Sequence, residues 1–413
     1  MKKELKEIQI TDYGYSGEGV GRIDGKVCFV NNALKNEKLL VSIIKENLSY
    51  MKGEIVQILQ NSPDREKPPC KYFGLCGGCS YQHLSYEKEL EIKKEILRAR
   101  LSKIGYNNQI NLIPNPNPYN YRNKIKLFVC DNKIGLKKRE SSVIVDIDKC
   151  LLVDNLINNA IEKIRHFVEQ NNKLVENIVL RQENSQILIN FILKKDVKLD
   201  YSSLCQSLGD NFGILQTYKG KIKHIFGLNS LKVNEMGLLA EFNVDSFHQV
   251  NNFLTKDLYL KVIENIKGDW VINCYSGAGT LSGILAKSCE KVVGIELGLS
   301  EHKDAEKLKR INNLLKLTNI CGDCALKLTS VQGDFNTIIV DPPRAGLDKK
   351  VVDAIINCKR CERMIYISCD SSTLTRDLNI LKKCFSMKEV YLFDMFSRTS
   401  EFETLVILDR IKT

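Results

Sequence analysis

Three stretches of this sequence combine residue types able to do chemistry. In CKYFGLCGGC, Cys70, Cys76 and Cys79 place three soft ligands at x5 and x2 spacing, a set that invites a fourth. His83 would complete a Cys3His zinc site, the reading that spacing alone favours, and Cys150 in DIDKC would instead complete a four-thiolate iron-sulfur site. In YSGAGT, residues 275–280, glycines follow a short apolar run and let backbone approach a ligand closely. The next apolar run ends in Glu296, placed to accept hydrogen bonds from a ribose, and S-adenosylmethionine fits such a turn as well as NAD does. The third stretch is RMIYISCD, residues 363–370, read as a buried strand of a parallel sheet that ends in Cys369 and opens into a helix. Ligands collect at that end of such strands, although a cysteine taken alone reads as a small buried hydrophobe.

A further strand end carries DPPRAGL, residues 341–347. A D-P-P sequence followed by an aromatic residue would stack a base and bind its exocyclic amine, but Arg344 stands in the aromatic position. Cys321, Cys324, Cys358 and Cys361 form two C-x2-C pairs, yet the interval between them is longer than in a zinc ribbon and contains the DPPRAGL strand end. They are not assigned a metal.

At 413 residues the chain exceeds one ordinary domain. A net charge of +11 is compatible with a polyanionic partner and equally with a solvated basic surface. The start, MKKELKEIQI, lacks the apolar core of a signal peptide and no run is long enough to span a membrane, so a cytoplasmic location is expected. In a reducing compartment the 15 cysteines are not expected to form a disulfide framework, so some of them should be metal ligands or catalytic.

Residues 1–60 hold short β-rich segments, including 26–30 and 39–44, with Gly14, Gly17, Gly19, Gly21 and Gly25 at places where a small OB-like barrel bends. Residues 61–69, NSPDREKPP, read as a linker. Residues 85–104 form an amphipathic helix, and 121–145 alternate as strands carrying Arg122, Lys124, Lys126, Lys137, Lys138 and Arg139. Basic residues interleaved with tyrosines suit single-stranded RNA. The expected division is 1–60, a central α+β unit at 61–240, and an α/β unit at 241–413.

The first 60 residues resemble the TRAM domain, a small RNA-binding β-barrel. The cysteine spacing, SFHQVN at 246–251, YSGAGT, DPPRAGL, YISCD and EFETLVIL at 401–408 together resemble the RNA uracil-5-methyltransferase family over essentially the whole chain. The resemblance implies a multi-domain protein: an N-terminal OB-like TRAM barrel, a central α+β domain with a [4Fe-4S] site, and a C-terminal Rossmann-like class I methyltransferase. It assigns Cys70, Cys76, Cys79 and Cys150 to the cluster, Gln249, Tyr275, Glu296 and Asp341 to the S-adenosylmethionine pocket, Cys369 as nucleophile and Glu403 as base. Phe247, in SFHQVN, reads either as a ring for a flipped uracil to stack on or as ordinary core. Bacterial members acting on ribosomal RNA carry the cysteine signature, so 23S rRNA is the implied partner, with the protein a monomer and neither DNA nor membrane involved. Asn273 departs from the family, whose members usually have an acid there, which puts the cofactor affinity in question.

Three other readings stay open: the same reaction on tRNA, methylation of an exocyclic amine, which Arg344 opposes, and a non-catalytic RNA-binding or chaperone protein, which intact Cys369 and Glu403 oppose.

Overall fold

The computed structural model describes residues 5–246, 248–331 and 335–412. Strands β1 (Leu5–Tyr13), β2 (Gly19–Ile23), β3 (Lys26–Val30), β4 (Lys38–Glu46) and β5 (Tyr50–Gln60) close into a barrel in the order β1-β2-β3-β5-β4. Ile8, Ile10, Val30, Leu39 and Val41 fill it from alternate positions, as the period of a strand requires. Gly21 has a mechanical reason to be glycine, since a Cβ there would lie 2.2 Å from the Gln9 carbonyl oxygen. The 61–69 segment is irregular, yet it is fastened to the barrel, with Arg65 donating to buried Glu37 at 2.8 Å and to the Asn32 carbonyl at 2.8 Å.

Next come helix α1 (Tyr86–Ser102) and strand β6 (Ile110–Ile113). The Ser85 hydroxyl accepts the Lys88 amide at 3.2 Å and starts α1, satisfying one of the orphan donors of its first turn. The central sheet follows, built from β7 (Lys124–Cys130), β8 (Lys133–Lys137), β9 (Ile144–Asp146), β10 (Val175–Glu183), β11 (Gln186–Leu193), β12 (Phe212–Tyr218) and β13 (Lys221–Gly227) in the order β13-β12-β11-β10-β7-β8-β9. Helices α2 (Asn155–Asn171) and α3 (Ser202–Leu208) pack on it through Ile157, Ile161, Phe167 and Leu204.

The hairpin β14 (Leu231–Glu235) and β15 (Leu238–Phe242) leads to α4 (Asn252–Glu264), β16 (Trp270–Cys274), α5 (Thr280–Leu285), β17 (Lys291–Glu296), α6 (Leu299–Ile311) and β18 (Leu317–Cys321). After them come α7 (Cys324–Ser330), β19 (Thr337–Val340), α8 (Lys349–Asn357), β20 (Arg363–Ser368), α9 (Ser371–Leu381), β21 (Phe385–Phe393) and β22 (Glu403–Arg410). The resulting eight-stranded sheet runs β18-β17-β16-β19-β20-β22-β21-β6. Its first five strands are parallel, their near-continuous apolar runs covered by helices on both faces, and β22 is antiparallel to β20.

The cores divide the chain differently from the contiguous 61–240 unit expected. Strand β6 pairs with β21, and Leu97, Leu101 and Ile110 share a core with Tyr366, Leu374 and Leu378, so residues 86–113 pack into the eight-stranded sheet unit. Leu238 and Phe242 likewise share a core with Leu258, Leu281 and Leu308. The apolar faces of α1 and of the β14–β15 hairpin find their partners there, and burial rather than chain order decides membership. Among the described residues no helix is long and apolar enough to cross a membrane.

Candidate active site and thiol cavity

Strands β20 and β22 pair antiparallel up to Ser368 with Thr404, a register that brings the next two residues, Cys369 and Glu403, opposite each other at the sheet end. Glu403 is 3% exposed, and its Oε1 has no hydrogen-bond partner among the described residues. Burial first, then the neighbouring Asp341 carboxylate, hold the Glu403 carboxyl well above its ordinary range, against the pull of Arg344. Burial and then Glu403 push the half-buried Cys369 thiol up to about 12, again with Arg344 opposing. Burial raises Asp341 to about 7. A thiol, a proton-retaining carboxyl and a cation thus share one small volume.

The DPPRAGL loop is held beside this pair by groups that sequence reasoning did not find. Asp377, 1% exposed, accepts the Leu347 amide at 2.8 Å and the Tyr366 hydroxyl at 2.7 Å, tying the loop to the strand that carries Cys369. Gly346 has a φ of +75°, and a Cβ there would lie 2.7 Å from both Arg376 and Asp377. Arg344 reaches Glu401 at 3.4 Å, so its guanidinium is anchored at the mouth. Only the glycine is a sequence-level signal of this support.

Gln249, Tyr275 and Asp341 line one pocket with Ser276, Gly277 and Asn273. The YSGAGT turn is left-handed at Tyr275 (φ +60°), Gly277 (+54°) and Gly279 (+82°). Glu296, at the end of the neighbouring strand, accepts the Gly277 amide at 2.9 Å and the Gly298 amide at 2.7 Å, so its carboxylate is fixed at the edge of the turn. Asn273 lies on β16 beneath the turn and donates to the Ser282 hydroxyl at 2.9 Å. The acid expected in relatives is therefore replaced by a neutral group with a local partner.

The segment that delivers Gln249 is gripped by the central sheet. Asn123 donates to the Gln249 carbonyl at 3.1 Å, and the buried Arg181 guanidinium donates to the carbonyls of Asn243, at 3.1 Å, and Ser246. Glu183 accepts from Asn123 at 2.8 Å and from Asn252 at 2.9 Å, with His248 Nε2 3.7 Å away. Burial and then Arg181 lower His248 to about 3, so its ring, stacked on Phe242 at 4.5 Å, is neutral. Phe247, read either as a stacking ring for the base or as core, lies outside the described residues.

Cys70, Cys76, Cys79 and Cys150 all line a second cavity, of about 280 Å³, together with Arg122 and Lys126. Hydrogen-bond donors already face three of the sulfurs: Gly78 N to Cys76 at 3.4 Å, Gln82 Nε2 to Cys79 at 3.0 Å, and the amides of Leu152 and Val153 to Cys150. His83 is not at this cavity; it is buried against Phe73, ring centroids 5.0 Å apart, which removes the fourth ligand of the zinc alternative. Among the described residues no three His, Cys, Asp or Glu side chains converge closely enough to hold a single metal ion. The C-x2-C pairs go separate ways: the Cys324 sulfur accepts from the Cys274 thiol, and Cys361 donates to the Arg363 carbonyl at 3.1 Å.

Part of the basic set expected to meet RNA is spent internally. Arg122 donates to the Lys124 carbonyl at 3.1 Å and Arg139 to the Cys79 carbonyl at 2.9 Å, while burial lowers Lys124 to about 8. Lys126 and Lys137 flank the Phe128 ring at 5.6 and 4.3 Å.

Comparison with known proteins agrees with this arrangement. The family described as tRNA (Uracil-5-)-methyltransferase matches residues 323–411, the segment holding DPPRAGL, Cys369 and Glu403, and the TRAM domain matches residues 1–56. An uncharacterized RNA methyltransferase of Caldanaerobacter subterraneus is 32% identical, covering 99% of this chain and 98% of the relative. Another, of Clostridium acetobutylicum, is 31% identical, covering 98% and 97%. The crystal structure of Pyrococcus abyssi tRNA (uracil-54, C5)-methyltransferase in complex with S-adenosyl-L-homocysteine superposes with a TM-score of 0.81 at 24% identity, over 98% of this chain and 100% of that one, which establishes a shared fold. With relatives matched at this length and residues 323–411 inside the family model, the chain belongs to the RNA uracil-5-methyltransferase family and carries a TRAM domain at its front.

Proposed function

We propose that this protein methylates C5 of a uridine in RNA through a covalent adduct on Cys369. The observation that carries the reading is Cys369 opposite Glu403 at the end of β20 and β22, beside the pocket of Gln249, Tyr275 and Asp341. C5 of uracil is a weak carbon nucleophile. The Cys369 thiolate adds to C6, and the displaced π electrons make an enolate whose nucleophilic carbon is C5. The YSGAGT turn would hold S-adenosylmethionine, with Glu296 accepting from its ribose, and the cofactor would supply the electrophilic methyl, the pair of the broken C–S bond staying on sulfur as S-adenosylhomocysteine leaves. C5 takes that methyl and still carries its hydrogen. Glu403, its proton affinity raised by burial, removes that hydrogen as a proton; the electrons left at C5 reform the C5–C6 double bond and expel the Cys369 thiolate.

Four thiols spaced around a cavity, with N–H donors already on three of them, suit a polynuclear [4Fe-4S] group better than a single ion. Cys70, Cys76, Cys79 and Cys150 would hold it, joining the segment near residue 75 to that near residue 150. No step of methyl transfer is assigned to it.

The proposed substrate is 23S ribosomal RNA, supported by the resemblance of the cysteine signature to that of ribosomal-RNA members, with the enzyme acting as a cytoplasmic monomer. Transfer RNA is the second reading, favoured by the description of the matched family. Mapping 5-methyluridine in ribosomal and transfer RNA from cells with and without the gene tests both. Loss of one or more 23S sites supports the first, loss confined to tRNA the second, and an unchanged map in both RNAs refutes the activity.

A further inference from the structure

We propose that Tyr15, Arg100 and Lys103 form a subsite for the RNA strand flanking the target uridine, with a phosphate on the two cations and a base against the open face of the tyrosine ring. The inference rests on the reading of the substrate as RNA.

Tyr15 comes from the turn between β1 and β2 of the barrel, while Arg100 and Lys103 come from the end of α1, so two distant parts of the chain meet here. The Arg100 guanidinium carbon lies 3.6 Å from the centroid of the Tyr15 ring, and Lys103 donates to the Tyr15 hydroxyl at 3.0 Å. Yet Arg100 makes no hydrogen bond or ion pair among the described residues, and its Nε is buried without a partner. A guanidinium carries five donors in a planar fork that matches a phosphate, and one stacked on a ring with those donors unspent is poised for such a ligand. Tyr15 as a residue is 46% exposed, with Arg100 on one side of its ring, which leaves room for a splayed base to stack on it. The place is right for a neighbouring nucleotide. Helix α1 packs against α9, whose N-cap is Asp370, the residue after Cys369, and Asp370 is near enough to act on the Arg100 charge. The strand would thus run from the Cys369 mouth toward the barrel, giving the barrel a direct part in presenting the target.

The purely structural alternative is a strut that docks the barrel on α1. The two differ in what they do to RNA. Binding of a short single-stranded RNA to the full-length protein is measured by fluorescence anisotropy across a salt series, with S-adenosylhomocysteine calorimetry and Tm as checks of the fold. Arg100→Gln is expected to raise Kd about tenfold and to flatten the slope of log K against log salt by about 0.7, the share of one phosphate on a single strand. Tyr15→Leu is expected to raise Kd several-fold with the slope unchanged. Should Arg100→Gln not fold, the exposed Lys103→Gln carries the same expectation. Folded variants with Kd within about twofold of the parent and an unchanged slope overturn the subsite, as does a lowered Tm with unaltered RNA affinity, which marks a strut. If the parent protein makes no 5-methyluridine but the variants still weaken binding, the methylation reading fails and the subsite stands.

Discussion

Glu403 faces Cys369 across the end of two antiparallel strands, and burial first, with Glu403 second, holds the thiol in its protonated form. A nucleophile at rest in this state is protected from oxidation, and it needs the arrival of substrate and methyl donor to ionise. The pair divides the reaction between a group that makes a bond and one that removes a proton, so their variants differ in kind. Cys369→Ala removes the proposed nucleophile and is expected to form no RNA adduct and no product. Glu403→Gln keeps size and removes the base, with turnover down about 10²–10⁴-fold and methylated RNA trapped on Cys369. Denaturing gels and peptide mass spectrometry read both outcomes. Normal turnover by the glutamine variant would assign proton removal to another group.

The pH dependence follows from the same burial. Cys369 and Glu403 both titrate above their ordinary ranges, and both must be deprotonated to work, so the single-turnover rate is expected to climb from pH 6 to pH 9. Stability runs the other way. Asp341, raised to about 7 in the fold, binds its proton more tightly folded than unfolded. Its contribution is complete below the unfolded value of about 3.9 and is lost as pH rises through about 7. Asp341→Asn, neutral throughout, should gain Tm relative to the parent at pH 8 and not at pH 4. Equal differences at both values would mean that Asp341 is ionised in the folded protein.

Much of this site was legible because its motifs are local. YSGAGT, DPPRAGL and the apolar run ending in Cys369 each lie at a strand end, and a strand followed by a turn is written in consecutive residues. Glu403 was reachable only through family resemblance, since its meaning comes from the register of β22 against β20, a pairing of residues 34 apart that no local pattern encodes. The supports were not legible at all. Asp377 reads as one more polar residue of a helix, and Arg181 and Glu183 as an ordinary strand end, until the fold buries them against the DPPRAGL loop and the Gln249 segment. The membership of α1 and β6 in the catalytic sheet was missed for the same reason: an amphipathic stripe does not name its partner.

Glu296 anchors the glycine turn through the Gly277 and Gly298 amides and is the proposed acceptor for the ribose. Glu296→Ala removes the acceptor and also frees the Gly277 and Gly298 amides. A charged hydrogen-bonding group is worth about 1.5–3 kcal/mol, so calorimetry should find S-adenosylhomocysteine about 10–100-fold weaker. Unchanged affinity in a folded variant would remove Glu296 from the pocket.

The thiol cavity makes a compositional prediction. Protein purified without oxygen should carry about four iron and four sulfide per chain, and Cys150→Ser, which removes the ligand most distant in sequence, should lose them. Stoichiometric zinc without sulfide would exclude the cluster. Gel filtration and Tm of the serine variant show whether the loss is of the group alone or of the fold.

The loop that leads into Glu403 is held by a buried charge network that reaches back to α1. Lys93, fully buried, donates to Glu89 at 2.7 Å, to Asp394 at 2.5 Å and to the Phe396 carbonyl at 3.3 Å. Glu89 in turn accepts the Arg398 amide at 2.7 Å, and the Arg398 carbonyl accepts the amides of Ser80 and Tyr81, just after Cys79. The loop between β21 and β22, which ends at Glu403, is therefore pinned by α1 and by the cysteine segment together. Lys93→Met keeps the volume but takes from two buried carboxylates the cation they share, with Arg398 still 3.6 Å from Glu89, a loss of about 3–5 kcal/mol of stability. Burial already raises Glu89 to about 7 with the cation present, so in the variant the Glu89 carboxyl takes up a proton instead and the loss should shrink toward pH 5. Because the network touches the loop and not the RNA, the folded fraction should lose kcat while keeping its affinity for RNA and for S-adenosylhomocysteine. Denaturant titrations at pH 5 and pH 8 with single-turnover kinetics read both effects, and a variant as stable and as fast as the parent at pH 8 would show that Glu403 is placed without this network.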